Sequence, residues 1–108
     1  MHGVNQAEPS EKIISTASCT TNCITPVVEI LSRRLGVKKA IMTTVHAYTS
    51  TQALVDVHNS KLRRGRAAAV NFVPTSTGAA VATTKVLTEL DGKFGGLAIR
   101  GPVPAGLF

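Results

Sequence analysis

The sequence has no tryptophan, one tyrosine and three phenylalanines, so its core must be built from Ala, Val, Ile and Leu. Two cysteines make neither a disulfide framework nor a metal-ligand set, which points to a reducing, cytoplasmic setting. No apolar run approaches the length of a membrane span, and no secretory leader is legible. Acidic residues are scarce, 6 against 12 basic, giving a net charge of +6. That balance suits an anionic partner or substrate, either nucleic acid or a phosphorylated metabolite. The 108 residues, 44% of them apolar, fit one small domain with a modest core.

The most informative stretch is Ala17-Ser18-Cys19-Thr20-Thr21-Asn22-Cys23. Before it, residues 1–12 read as a loop and Ile13-Ile14-Ser15-Thr16 as the end of a strand. After it, Ile24, Val27, Val28, Leu31 and Leu35 recur at helical spacing from Thr21 onward. Cys19 thus falls at a strand-to-helix junction, where the positive end of a helix favours a thiolate, an oxyanion or a phosphate. Ser18, Thr20 and Thr21 are candidate caps. Two readings of Cys19 stand at this point: a nucleophile, or a small buried residue. Pro26 predicts a kink, and Arg33, Arg34 and Gly36 mark the helix end.

Lys38 to Ala47 reads as a strand, with Ile41, Thr43 and Val45 on one face and Met42, Thr44 and His46 on the other. Tyr48 to Val73 has no period, carries Lys61, Arg63, Arg64 and Arg66, and is long for a plain connection. Pro74-Thr75-Ser76-Thr77-Gly78 opens a second helix, with Val81, Val86, Leu87 and Leu90 near helical spacing and Gly92 to end it. Leu97-Ala98-Ile99-Arg100 is a short strand whose Arg faces away from Leu97 and Ile99, closed by Pro102 and Pro104. A thiol, an imidazole, hydroxyls at a second helix start and an Arg together follow the logic of covalent catalysis at a carbonyl, with a phosphate held nearby.

These blocks resemble, in order and spacing, the catalytic part of phosphorylating glyceraldehyde-3-phosphate dehydrogenase. The nucleophile stretch is followed by His46-Ala47-Tyr48-Thr49, Arg66-Ala67-Ala68-Ala69, Pro74 to Ala80, and Arg100 before Pro102 and Pro104. The resemblance implies an α+β fold: a partial catalytic domain with a mixed or antiparallel sheet and helices on one face. It makes residues 1–18 a remnant of the last segment of a dinucleotide-binding domain, and residues 19–108 an incomplete catalytic domain. Its implied activity is glycolytic oxidation of glyceraldehyde 3-phosphate, with phosphate and NAD or NADP, to 1,3-bisphosphoglycerate. Cys19 becomes the nucleophile and His46 the base. Ser18, Thr20, Thr77 and Gly78 fall at one phosphate site, Thr49, Thr51 and Arg100 at another, with Arg64 a further phosphate contact. Residues 48–73 resemble an S-shaped loop near the cofactor at a subunit contact of a homotetramer.

Departures accompany the match. No Gly-x-Gly-x-x-Gly follows a strand, so the Rossmann half is read as largely absent and the chain as a fragment inactive alone. Val81 stands where a Lys is common and Gly101 where a larger apolar residue is usual. Ala105-Gly106-Leu107-Phe108 does not follow the usual continuation. An erythrose-4-phosphate dehydrogenase-like enzyme is the near alternative, and a non-catalytic phosphate- or RNA-binding fragment the distant one. Neither a metal nor a membrane enters this reading, and a nucleic-acid partner is disfavoured by the lack of aromatic stacking residues.

Overall fold

Ser18 begins the first helix as a capping residue should. Its backbone is extended (φ −113°, ψ 166°), and its Oγ accepts the Thr21 N–H at 3.2 Å. The Asn22 N–H then opens the helical ladder on the Ser18 carbonyl at 2.9 Å. Helix α1 accordingly spans Cys19–Leu35, two residues ahead of the apolar period, because the cap sets the first turn. It runs through Pro26 as one helix; the proline forfeits one N–H, while burial of Thr21, Thr25 and Val28 holds the helix in place. Gly36, at φ 75°, stops it with its N–H on the Ser32 carbonyl at 3.0 Å. The computed structural model describes residues 1–104, so the closing Ala105 to Phe108 segment lies outside the described residues.

The strand expected at Ile13–Thr16 does not form. Those residues have β-branched propensity but no strand pairs with them, and Ile13 is 92% exposed. The chain instead turns sharply at Ala17, whose φ of 60° is left-handed. A residue with a Cβ there costs about 1–2 kcal/mol. The turn is held by the Ala17 N–H on Ser15 Oγ at 3.1 Å and by Asn22 Nδ2, which donates to Thr16 O at 2.7 Å and Ser18 O at 3.0 Å.

Helix α2 spans Ala79–Val86. It ends at Leu87 (φ −106°, ψ 77°), well before Gly92. The expected stop at Gly92 instead follows a separate 3-10 turn at Thr88–Leu90. Leu87, Leu90 and Val28 form an apolar core, flanked by Val4, Ile24, Val37, Val86 and Phe94. Ala79, Ala80, Thr83 and Thr84 form the buried face of α2, and Val81 is exposed.

Between the two helices, Thr25 and Thr83 share a hydrogen bond at 2.9 Å with both side chains fully buried. Removing one hydroxyl leaves the other unpaired in an apolar setting. Thr25→Val or Thr83→Val is therefore expected to destabilise by roughly 1–3 kcal/mol, while the double variant recovers much of that loss. Denaturant melts of the three variants check this.

The sheet has three strands, β1 (Ala40–Tyr48), β2 (Val73–Thr75) and β3 (Phe94–Pro104), in the order β1-β3-β2. β2 and β3 are antiparallel, with Val73 opposite Arg100 and Thr75 opposite Ala98. β1 runs alongside β3 in the same direction. The Ala40 N–H meets the Lys93 carbonyl at 2.9 Å at one end, and Arg100 reaches the Ala47 carbonyl at the other. The α+β class with a mixed sheet is thus as expected.

β3 continues through Pro102, and Pro104 is its last residue, so of the two prolines expected to close it Pro104 stands at the end. β2 ends its pairing at Arg100, so the prolines remove no ladder bond on that side. The faces of β1 alternate as expected, with Met42 buried and Ile41 and Val45 exposed.

The chain divides into two compact units: Met1–Met42 with Gly78–Gly95, and Thr43–Thr77 with the segment from Gly96 on. The first holds both helices and the apolar core. The second holds the long loop, β2 and most of β3.

Candidate active site

Cys19, Ser18, Thr20 and Gly78 belong to the first unit, and His46, Thr49, Thr51, Arg64, Thr77 and Arg100 to the second. In the first unit Cys19 is the opening residue of α1 and is exposed. No acidic side chain lies in the first turn, so the positive end of the helix dipole is unopposed there and favours an anion. Cys19 Sγ lies 3.9 Å from Thr20 Oγ1. Ser18 Oγ caps the helix and also lies 2.8 Å from the buried Thr21 hydroxyl. Cys23, one turn on, is exposed too. A cleft of about 560 Å³ beside this turn is lined by Ile13, Ile14, Thr16 and Asn22 rather than by Cys19. Gly78 caps α2 with no side-chain bond, its carbonyl taking the Ala82 N–H at 2.9 Å.

In the second unit His46 is half-buried near the end of β1. Gly101, buried on β3, lies beneath the Phe72 ring: a Cβ there would stand 3.3 Å from Phe72 Cε1 and 3.8 Å from the His46 carbonyl. The departure at Gly101 therefore has a local reason, since a larger side chain would displace that ring. Arg100 donates Nη1 to the Ala47 carbonyl at 3.0 Å, which fixes the guanidinium beside the loop that begins at Thr49. Arg64 donates Nε and Nη2 to Thr75 Oγ1 at 3.2 and 2.9 Å. Those two donors are committed to a neutral hydroxyl. Thr77 is half-buried just ahead of α2.

The loop from 49 to 72 is ordered rather than loose. Ala53 N–H bonds Arg64 O at 2.9 Å, Val57 N–H bonds Gly65 O at 2.8 Å, and Ala68 N–H bonds Ala53 O at 3.0 Å. Gly65 has to be glycine, because a Cβ would lie 2.2 Å from the Val57 carbonyl. Two 3-10 turns, Leu62–Gly65 and Ala68–Val70, sit within it. Leu54, Val55, Val57, Leu62, Val70 and Phe72 are exposed along its length.

Asp56 ties the loop together by accepting the Ala67 N–H at 2.8 Å and Arg66 Nη1 at 2.6 Å. The Ala67 amide first, and Arg66 second, hold its carboxyl below the ordinary value of 3.8. A lowered folded-state value means the contribution to stability is complete above pH 3.8 and is lost as the pH falls through the depressed value. The protection of the Ala67 amide, relative to its intrinsic exchange rate, is expected to fall in that acid window in the native sequence. Asp56→Asn should abolish this pH dependence, leaving Ala67 less protected at neutral pH.

Gln52, which the sequence reading passed over, is buried in this unit and bonded to both Thr49 and Thr51. No period runs through residues 49–72, so nothing in the pattern marks its amide as inward-facing. Its position three residues after Thr49, among small polar groups, is the one available signal.

A family model described as glyceraldehyde 3-phosphate dehydrogenase, C-terminal domain, matches residues 18–107. Glyceraldehyde-3-phosphate dehydrogenase of Haloarcula vallismortis is 56% identical over 107 residues, covering 98% of this chain and 32% of the relative. The chloroplastic glyceraldehyde-3-phosphate dehydrogenase A of Zea mays is 55% identical over 104 residues, covering 94% of this chain and 26% of the relative. That of Mycobacterium leprae is 55% identical over 106 residues, covering 96% and 31%. The chain thus spans between about a quarter and a third of the length of these curated relatives. With the match running from the cap of α1 through every later element, the chain belongs to the glyceraldehyde 3-phosphate dehydrogenase C-terminal domain family.

Proposed function

We propose that this chain carries the covalent and phosphate-handling part of a phosphorylating glyceraldehyde-3-phosphate dehydrogenase. The observation that carries the reading is an exposed thiol at the first residue of a 17-residue helix with no acidic group in its first turn. In the proposed chemistry His46 takes the Cys19 proton, and the thiolate adds to the aldehyde carbon of glyceraldehyde 3-phosphate. The carbonyl pair moves to oxygen, which recovers the proton from His46 and completes a thiohemiacetal. From the thioester level, inorganic phosphate attacks the acyl carbon, the C–S bond breaks, and Cys19 leaves as thiolate with 1,3-bisphosphoglycerate as product. Thr49, Thr51 and Arg100 serve one phosphate, and Ser18, Thr20, Thr77 and Gly78 the other, with Arg64 in support.

Oxidation of the thiohemiacetal to the thioester requires a hydride acceptor, NAD or NADP in this family reading. The described residues do not fit that dinucleotide. Its pyrophosphate needs glycines in a strand-to-helix turn, whereas α1 opens on Ala17 and Ser18, and Gly92, Gly95 and Gly96 lie in a turn and in β3. The work assigned to this chain is accordingly the acyl chemistry on Cys19. The exposed apolar residues of the 49–72 loop support a subunit contact there, as in the homotetramer that the resemblance implies. Among the described residues no helix is long and apolar enough to cross a membrane, and a cytoplasmic enzyme of glycolysis is the setting proposed.

Acyl transfer tests the reading without any hydride acceptor. Acetyl phosphate should acylate Cys19 with release of inorganic phosphate, seen as an acetyl increment on the Cys19 peptide by mass spectrometry. Added inorganic phosphate should reverse it. Acetylation spread equally over Cys19 and Cys23, or absent from both, would remove the case for a catalytic thiol.

A further inference from the structure

We infer that Gln52 is a positioning residue for phosphate: its buried amide presets the hydroxyls of Thr49 and Thr51 so that the Thr51 O–H is the donor left for an anion. The inference rests on the reading of Thr49 and Thr51 as phosphate contacts and adds a residue which that reading does not include.

The geometry fixes every donor in turn. Gln52 is 7% exposed, and its Oε1 accepts the Thr49 N–H at 2.8 Å. A backbone N–H can only donate, so the amide oxygen must sit on that side and Nε2 on the other. Nε2 donates to Thr51 Oγ1 at 2.9 Å, while Oε1 also accepts the Thr49 O–H at 3.2 Å. The Thr49 hydrogen is therefore spent. In the 3.0 Å contact between the two hydroxyls, Thr51 must then be the donor. The result is a closed ring running Gln52 Nε2 to Thr51 to Thr49 to Gln52 Oε1.

Rings of one sense polarise each member. Thr49 and Thr51 are both exposed, so the Thr51 O–H can swing from Thr49 to an incoming phosphate oxygen while its own oxygen stays bonded to Nε2. No buried group loses its partner in the exchange. A cleft of about 460 Å³, lined by Tyr48, Thr49, Gln52, Leu54 and Ala68 among others, opens beside the ring.

The test is binding of inorganic phosphate by the full 108-residue chain, followed through the backbone amide resonances of Thr49 and Thr51, with a melt recorded for each variant. Thr51→Val and Gln52→Met are each expected to weaken binding about tenfold, the scale of one hydrogen bond to a charged group. Gln52→Glu should weaken it further, since it loses the donor and adds a like charge. The Gln52→Met effect should vanish in a Thr51→Val background, a coupling that a purely structural role does not produce.

Wild-type affinity in Gln52→Met, with Thr51→Val weakened, overturns the inference and leaves the phosphate reading standing. Wild-type affinity in both Thr49→Val and Thr51→Val, or no response of these amides to phosphate, overturns the phosphate reading and the Gln52 role with it. Should Gln52→Met lose its cooperative melt, Gln52→Asn carries the same comparison, its amide being one methylene too short to span both hydroxyls.

Discussion

Cys19→Ser is expected to lower acyl transfer from acetyl phosphate by on the order of 10⁴-fold or more, the scale seen when a covalent nucleophile is removed. The substitution keeps size and the helix start, so what it removes is the sulfur nucleophile. A serine hydroxyl in its place is a far weaker nucleophile at neutral pH. Cys23→Ser is the control, because Cys23 is exposed in the same way one turn further on yet lies beyond the first-turn amides. It should remain close to the unsubstituted chain. Equal losses in both variants would mean that acylation is nonspecific thiol chemistry. His46→Asn should slow the same transfer while leaving the slow alkylation of denatured thiols unchanged, if His46 has the role proposed for it.

Leu90→Ala is expected to destabilise the chain by about 3 kcal/mol, within the range for a leucine removed from a packed core. Leu90 is 1% exposed, and among the described residues its core cluster has Val28 and Leu87 as its buried partners. So few buried side chains leave little capacity for neighbours to collapse into the space. Against the 5–15 kcal/mol typical of a small domain, the loss is large, and the melting temperature should fall by roughly 10–20 °C. Val81→Ala on α2 serves as the comparison, because Val81 is 61% exposed and its truncation should change stability by less than about 0.5 kcal/mol. A Leu90→Ala melt as mild as that of Val81→Ala would show that these three residues are not the core of their unit.

Much of this architecture could be read from local chemistry. Ser18, Gly36 and the first-turn hydroxyls bracket α1 because capping acts over one turn of chain. The alternation along β1 follows from the two-residue period of any strand. What escaped was set by distant partners. Ile13 and Ile14 have strand propensity, but among the described residues no strand pairs with them. Proline ordinarily ends a strand, yet β3 passes Pro102, since β2 pairs with it only as far as Arg100. Gln52 and the Thr25–Thr83 bond depend on burial among polar residues, which leaves no apolar period to read. The placement of each candidate along its element was legible; the buried amide that orders two of those candidates was not.

Ala17 has a kinetic meaning as well. Its left-handed backbone is disfavoured by its own side chain, so the turn ahead of the thiol has no local tendency to form early. Two of the bonds that hold it come from Asn22, whose side chain reaches Thr16 and Ser18 from the first turn of α1. The helix must be wound before the turn can be tied. In a refolding time course, protection of the α1 amides should therefore precede ordering of residues 15–17, and the exposed thiol would gain its final backbone setting among the last local events in its unit.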